Sequence, residues 1–247
     1  MTGDYRARAR HYAAEISHIL QPAALAGLLR PGLKVAEMPS GTGHFLPAYT
    51  AAGADVVLID ACPAMLEAAR RHARTLRTDP GLVCSPIQDL TLRVGPFDLV
   101  VMPNAALNQL AADTAPAELL AAVARPLRPG GILLVQVLNP AQDGACGFYD
   151  PGLSDGTWYA DREFADQPGQ PLVRRRRQHH GAGLVDIDFE LHQNGELLYR
   201  HHVTLQLLDI TELRAALASS GFTDVSVHPG TGGLDELLAA RSSGHSL

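Results

Sequence analysis

Apolar positions in the first part of the chain change their period twice. Between residues 5 and 20 they fall at Tyr5, Tyr12, Ile16, Ile19 and Leu20, a helical spacing that leaves Arg6, Arg8 and Arg10 largely on the other side. This predicts an amphipathic N-terminal helix. A second short helix is expected to begin near Pro22, which suits a first helical position, and to stop near Pro31-Gly32. From residue 33 short apolar runs bounded by turn residues alternate with helix-like stretches. Runs at 33–38, 54–60, 82–85, 97–102 and 131–138 predict buried strands, with helices near 43–52, 63–76 and 115–127. Such alternation implies right-handed crossovers and a parallel sheet covered on both faces.

Beyond residue 138 the pattern breaks. Residues 139–170 are rich in Gly, Pro and Asp without periodicity and read as a long irregular connection. Strand-like runs follow at 171–180, 184–193 and 196–207, the last two joined by Asn194-Gly195, a two-residue hairpin signal. Asp209 and Glu212 form a capping-box pattern opening a helix to about Ser219, with Gly221 beyond its end. Strands near 224–228 and 237–241 would complete the first sheet. Residues 1–138 and 208–247 are thus expected to make one α/β domain with an N-terminal lid helix, and 139–207 an antiparallel insert over the substrate.

Composition narrows the partners. The chain has 247 residues, 46% hydrophobic and 19% charged, enough for a real core. Acids outnumber bases by 26 to 20 and Lys34 is the only lysine, which argues against neutralising a nucleic-acid backbone. No apolar run reaches the roughly 18 residues of a membrane span, and the charged N-terminal stretch is unlike a signal peptide, so a cytoplasmic protein is expected. Cys62, Cys84 and Cys146 are odd in number and widely spaced, supplying neither a disulfide framework nor a zinc pattern. His179, His180, His192, His201 and His202 also lack a ligand spacing, so no metal is expected.

The first strand runs into Glu37-Met38-Pro39-Ser40-Gly41-Thr42-Gly43, and the second ends at Asp60. This sets a glycine turn and an acid at the carboxyl edge of a parallel sheet, where open α/β folds bind ligands. Position 46 is Leu46, where a dinucleotide fingerprint wants a third glycine, and no P-loop lysine follows.

With these residues the sequence resembles the class I S-adenosylmethionine-dependent methyltransferases of small-molecule type. Glu37 to Gly43 matches their acidic glycine loop, with Pro39 in place of the first glycine. Asp60-Ala61-Cys62-Pro63-Ala64-Met65-Leu66 matches the second-strand acid and the segment after it. Further matches are Gln88-Asp89-Leu90, Phe97 to Val101, and Leu127-Arg128-Pro129-Gly130-Gly131. The resemblance implies a Rossmann-like fold with a mostly parallel seven-stranded sheet carrying the antiparallel β insert. It implies that Gly41 and Gly43 border the methionine part of the cofactor, that Asp60 accepts from both ribose hydroxyls, that Asp89 receives the adenine amine and that Met65 packs on the adenine face. Tyr12, Glu37, Pro39, Thr42, Ala61, Gln88, Leu90 and Asn104 complete the implied cofactor set.

In the insert, a bulge-free turn at Asn194-Gly195 sets Gln193 opposite Glu196, Glu190 opposite Tyr199 and Asp188 opposite His201. A tight turn between His180 and Leu184 sets Arg176 opposite Asp188 and Arg174 opposite Glu190. One face would then be polar and the other would carry Val185, Ile187, Phe189 and Leu191. That polar face reads either as a solvated charge ladder or as a site where His201, oriented by Asp188, does acid/base work. Tyr5, Tyr12, Asn104, Asn108, Asn139 and Tyr159 are the other candidates for the substrate cavity, with His201, Asp188, Tyr12, Asn139 and Tyr159 as the catalytic set. No acid occurs between Met102 and Gln109, which argues against a magnesium-assisted site. The expected reaction is methyl transfer to a nitrogen or oxygen of a small molecule, with a homodimer left open. The alternative is attack by the cofactor's own amine on its side chain, releasing methylthioadenosine and a four-membered cyclic amino acid.

Overall fold

The computed structural model describes residues 5–19, 21–90, 94–138, 155–167, 170–230 and 234–242. Two short helices, α1 (Tyr5–Arg8) and α2 (Tyr12–Glu15), stand where one amphipathic helix was expected, and α3 (Ala23–Leu28) follows. Strands β1 (Lys34–Glu37), β2 (Asp55–Asp60), β3 (Gly81–Cys84), β4 (Phe97–Met102) and β5 (Leu127–Leu138) come next. Between them lie α4 (Leu46–Ala52), α5 (Pro63–Leu76), α6 (Ala106–Ala111) and α7 (Pro116–Ala124). Then β6 (Tyr159–Gln167), β7 (Gln170–Gly181), β8 (Leu184–Gln193) and β9 (Glu196–Gln206) precede α8 (Ile210–Ser219), β10 (Phe222–Pro229) and β11 (Leu234–Arg241).

The larger sheet has seven strands in the order β10-β11-β5-β4-β1-β2-β3. Its pairings are parallel except those of β11, which runs antiparallel to β5 and β10. Successive residues of a strand point to opposite faces, and β4 shows why both faces are covered. Leu99 and Val101 pack with Leu25, Tyr49, Leu66 and Ala69 of α3, α4 and α5. Val100 and Met102 pack with Leu107, Leu120, Leu213 and Leu217 of α6, α7 and α8. Asp209 caps α8 as its sequence suggests, accepting from the amides of Thr211 and Glu212 at 2.7 and 3.2 Å.

The second sheet, β6-β7-β8-β9, is antiparallel throughout. Its apolar side sets Val185, Ile187, Phe189, Val203 and Leu205 against Ala105, Leu138 and Leu234. The sheet therefore roofs the carboxyl ends of β4 and β5. Strand β6 falls inside the stretch that sequence pattern reads as irregular. It is an edge strand paired only to β7, so its charged sequence is under no pressure to alternate.

The register of this sheet corrects the sequence reading twice. The β7–β8 turn is two residues, Ala182-Gly183, both at positive φ (49° and 77°), so Arg177 and not Arg176 faces Asp188, and Arg175 and not Arg174 faces Glu190. The β8–β9 turn starts as expected, with Gln193 opposite Glu196. A bulge then shifts the pairing between Leu191↔Tyr199 and His192↔Leu197, so Asp188 faces His202 and Glu190 faces Arg200. A one-residue slip moves every later side chain to the other face. Here the slip turns Val203 and Leu205 into the core and leaves Leu197 and Leu198 exposed at 44% and 39%. It also separates Asp188 from His201, which is carried to the buried side with Arg174, Arg176 and Tyr199.

Candidate active site

A cavity of about 390 Å³ opens at the carboxyl edge of the parallel sheet, between the loop after β1, the end of β2 and the end of β4. Strand order reverses between β1 and β4, the position where open α/β sheets bind ligands. Glu37, Pro39, Ser40 and Gly41 line it from the glycine loop. Asp60, Ala61, Cys62, Pro63 and Met65 line it from β2 and the start of α5, and Pro103, Asn104, Ala106 and Gln109 from the chain after β4. Tyr5, Arg6, Tyr12 and Ile16 close it from the N-terminal helices. Gly41 has φ 52°, and a Cβ there would lie 3.2 Å from the Tyr12 ring, so both backbone shape and the close approach of Tyr12 require glycine. Gly43, at φ 71°, turns instead against Leu58 and Ala69.

The two acids of the cavity differ in kind. Asp60 accepts from the Gly41 amide at 2.7 Å and the Cys62 amide at 2.8 Å, so the acid ties the loop of β1 to the end of β2. Burial raises its pKa and those two amides pull it part of the way back. Each oxygen keeps a lone pair for a further donor. Glu37 is buried with one hydrogen bond, from the Tyr49 hydroxyl at 2.6 Å. Burial drives its carboxyl up to about 8 against that bond, with the Asp60 charge adding to the rise. Ser40 Oγ and Asn104 Oδ1 are buried and have no hydrogen-bond partner among the described residues. Asn104 sits at φ 64°, its amide held by Gln136 Oε1 at 3.0 Å.

Those open groups suit an adenosyl sulfonium with an amino-acid tail. Asp60 matches two ribose hydroxyls, the Met65 thioether an aromatic face, and Glu37 an ammonium that would make its buried charge favourable. Ser40 Oγ and Asn104 Oδ1 offer acceptors for the remaining donors.

The N-terminal helices are held by a buried ion network. Glu15 accepts from Arg8 Nε and Nη2 at 2.9 and 2.5 Å, from Arg174 Nη1 at 2.8 Å and from the Tyr199 hydroxyl at 2.9 Å. Arg174 also meets Asp161, with Nη2 to Oδ2 at 2.6 Å. Burial pushes the Glu15 carboxyl up, but Arg8 and then Arg174 more than offset this and hold it at about 2. Sequence reasoning overlooked Glu15, Arg8 and Gln109. The readable signal for Glu15 was an acid three residues after Tyr12, on the stripe of Ile16 and Ile19.

The other expected residues divide. Tyr12, Glu37, Pro39, Gly41, Asp60, Ala61, Met65 and Asn104 line the cavity. Thr42, Gly43, Gln88, Asp89 and Leu90 are not among the lining residues: Gln88 turns to Thr114 and Arg125, and Asp89 is exposed at the end of a 3₁₀ turn, Ile87–Asp89. His201 is buried behind the cavity, its ring 4.5 Å from that of Tyr5, while Asp188 is on the outer face with His202 at 2.8 Å. The facing Asp188–His201 pair is therefore overturned. Tyr159 takes a 2.6 Å hydrogen bond from Arg176 Nε on the inner face. Asn139 and Cys146 lie outside the described residues.

Comparison with known proteins agrees with this geometry. Residues 36–135 match the family described as Methyltransferase domain (Methyltransf_11). No curated protein sequence matches the chain. Among solved structures, CalS10, an amino pentose methyltransferase of Micromonospora echinaspora seen with S-adenosylmethionine bound, superimposes with a TM-score of 0.66 at 20% identity over 97% of this chain and 92% of its own. The sugar N-methyltransferase KedS8 of a Streptoalloteichus species gives 0.68 at 23%, covering 96% and 91%. CcbJ, a methyltransferase of Streptomyces caelestis, gives 0.70 at 19%, covering 89% and 88%. The cyclisation alternative finds no support in these comparisons. A seven-stranded sheet reversing at β1 and β4, an acid pair around a glycine loop, and the match of residues 36–135 to a methyltransferase domain together give the chain the Rossmann-like fold of the class I S-adenosylmethionine-dependent methyltransferases.

Proposed function

We propose that the protein methylates the amino group of a small polar molecule, an amino sugar being the acceptor class that fits best, with sheet β6–β9 as the roof of the acceptor site. The observation that carries this reading is the lining of the cavity beyond the cofactor groups. Tyr5 and Tyr12 present aromatic rings, and Gln109 presents a neutral amide. The carboxylates and the histidine of the lining are each already held: Glu37 by Tyr49, Asp60 by two amides, and His44 Nε2 by the Ile19 carbonyl at 2.6 Å.

An alcohol needs a base to become a competent nucleophile, whereas a neutral amine carries its own lone pair. S-adenosylmethionine supplies a methyl group already activated on a sulfonium. The protein's part is then to orient the amine in line, exclude water and surround the developing ammonium with aromatic faces and amide oxygens. CalS10 and KedS8, described as amino pentose and sugar N-methyltransferases, support the amino-sugar reading by similarity.

The test is incubation with S-adenosylmethionine and a panel of amino sugars, free and nucleotide-linked, beside their hydroxyl counterparts. Enzyme-dependent S-adenosylhomocysteine with a singly or doubly methylated amine is the expected outcome. Methylation of the hydroxyl compounds with equal or greater kcat/KM would overturn the preference for nitrogen.

A further inference from the structure

Tyr12 reaches the cofactor loop from a helix of four residues, too short to hold its place by its own hydrogen bonds. What fixes it is a stack that crosses from the insert to the glycine loop. The Arg8 guanidinium lies over three rings, 4.9 Å from the centre of Tyr12, 5.1 Å from that of Phe189 in β8 and 5.7 Å from that of Tyr5. Arg174 of β7 covers Phe189 at 5.0 Å. Glu15 binds both arginines, so the two cations share one buried carboxylate. Beyond Tyr12, its ring is what a Cβ on Gly41 would strike.

We propose that Arg8, held by Glu15, is a positioning residue: it presses the Tyr12 ring onto the glycine loop and so couples the antiparallel insert to cofactor binding. The charges explain why an arginine is used. A planar guanidinium can face aromatic rings while its edge donates a forked pair of hydrogen bonds to Glu15, which an ammonium cannot do. Arg8, Arg174, Glu15 and Asp161 sum to zero net charge, so the stack can be buried without an unpaired ion.

The inference concerns the cofactor site and is independent of which acceptor is used. Removing one partner of a buried ion pair leaves the other charge unpaired, so Glu15→Gln alone should lower the melting temperature through Arg8. The double variant Glu15→Gln/Arg8→Met removes both charges and leaves Arg174 with Asp161. The decisive measurement pairs the melting temperature of the cofactor-free protein with calorimetry of S-adenosylhomocysteine binding. The expected result is that the double variant regains most of the melting temperature lost by Glu15→Gln but still binds the ligand about tenfold or more weakly, because the stack is gone.

Recovery of affinity together with stability would show a purely structural network and overturn the proposal. Should the double variant fold poorly, Tyr12→Leu and Tyr12→Phe decide with the ion network intact. Tyr12→Phe keeps the ring and should bind within about twofold of the parent, whereas Tyr12→Leu should lose about tenfold. Parental affinity in Tyr12→Leu overturns the proposal.

Discussion

Asn108 and Leu138 are joined by two hydrogen bonds running in opposite directions. The Asn108 amide donates to the Leu138 carbonyl at 3.1 Å, and its carbonyl accepts from the Leu138 amide at 2.9 Å. The same side chain donates to the Gln206 carbonyl at 2.8 Å. Leu138 is the last residue of β5 and Gln206 the last of β9, so one buried side chain on α6 pins the ends of two strands, one from each sheet.

Replacing Asn108 with Leu should therefore strand three backbone groups at once. An unsatisfied buried polar group costs about 1–3 kcal/mol, and relaxation recovers part, so a loss of about 2–4 kcal/mol is expected. Urea unfolding checks it: the midpoint should fall with little change in slope.

Asp60→Ala should weaken S-adenosylmethionine by about tenfold or more, since hydrogen bonds to a charged group contribute about 1.5–3 kcal/mol. The variant also frees the Gly41 and Cys62 amides, so Asp60→Asn, which keeps an acceptor for one of them, should fall between it and the parent. Calorimetry on folded variants gives the ranking, and equal affinities would reject Asp60 as the ribose ligand.

The raised Glu37 carboxyl predicts a pH dependence with a definite sign. Between the ordinary carboxylate value of 4.5 and about 8, the unfolded chain has lost this proton and the folded, cofactor-free protein keeps it. The folded state then binds more protons, so this contribution to stability is full below the ordinary value and is lost as pH rises to about 8. Glu15 acts outside this window, because its carboxyl, held at about 2, favours the fold above the ordinary value and gives that up only in strong acid. Melting temperatures at pH 5 and pH 8 should show a smaller decline in Glu37→Gln than in the parent.

Asp188→Asn should change turnover by less than about threefold, since Asp188 lies on the outer face with Arg177 and His202. His201→Ala removes the ring that packs on Tyr5, and Tyr5 lines the cavity and donates to Gln109 at 2.8 Å. It should raise the acceptor KM while Asp188→Asn does not. Parallel losses in the two variants would contradict their placement on opposite faces.

Much of the parallel sheet was legible in the chain because its strands are buried on both sides and its turns carry their own chemistry. Phe97–Met102 and Leu184–Gln193 match their expected bounds, as does helix Pro63–Leu76, and the acid, glycine and β2 signals fall around one cavity. These features are local: an apolar run, a proline at a first helical turn or a glycine at positive φ needs no distant partner to be recognised. The register of β7, β8 and β9 was not local. Whether residue 198 bulges depends on Val203 and Leu205 finding Leu138 and Leu234, far away in sequence, and that choice alone moved His201 inward, away from Asp188 on the outer face. The same holds for Glu15, whose charge reads as solvated on a helix until two arginines, one of them from β7, close over it. Sequence by itself determined most of the strands and the cofactor loop, though not β6 or α6; only tertiary packing decided which polar side chains were turned into the protein, because burial is settled by partners that sequence spacing does not bring together.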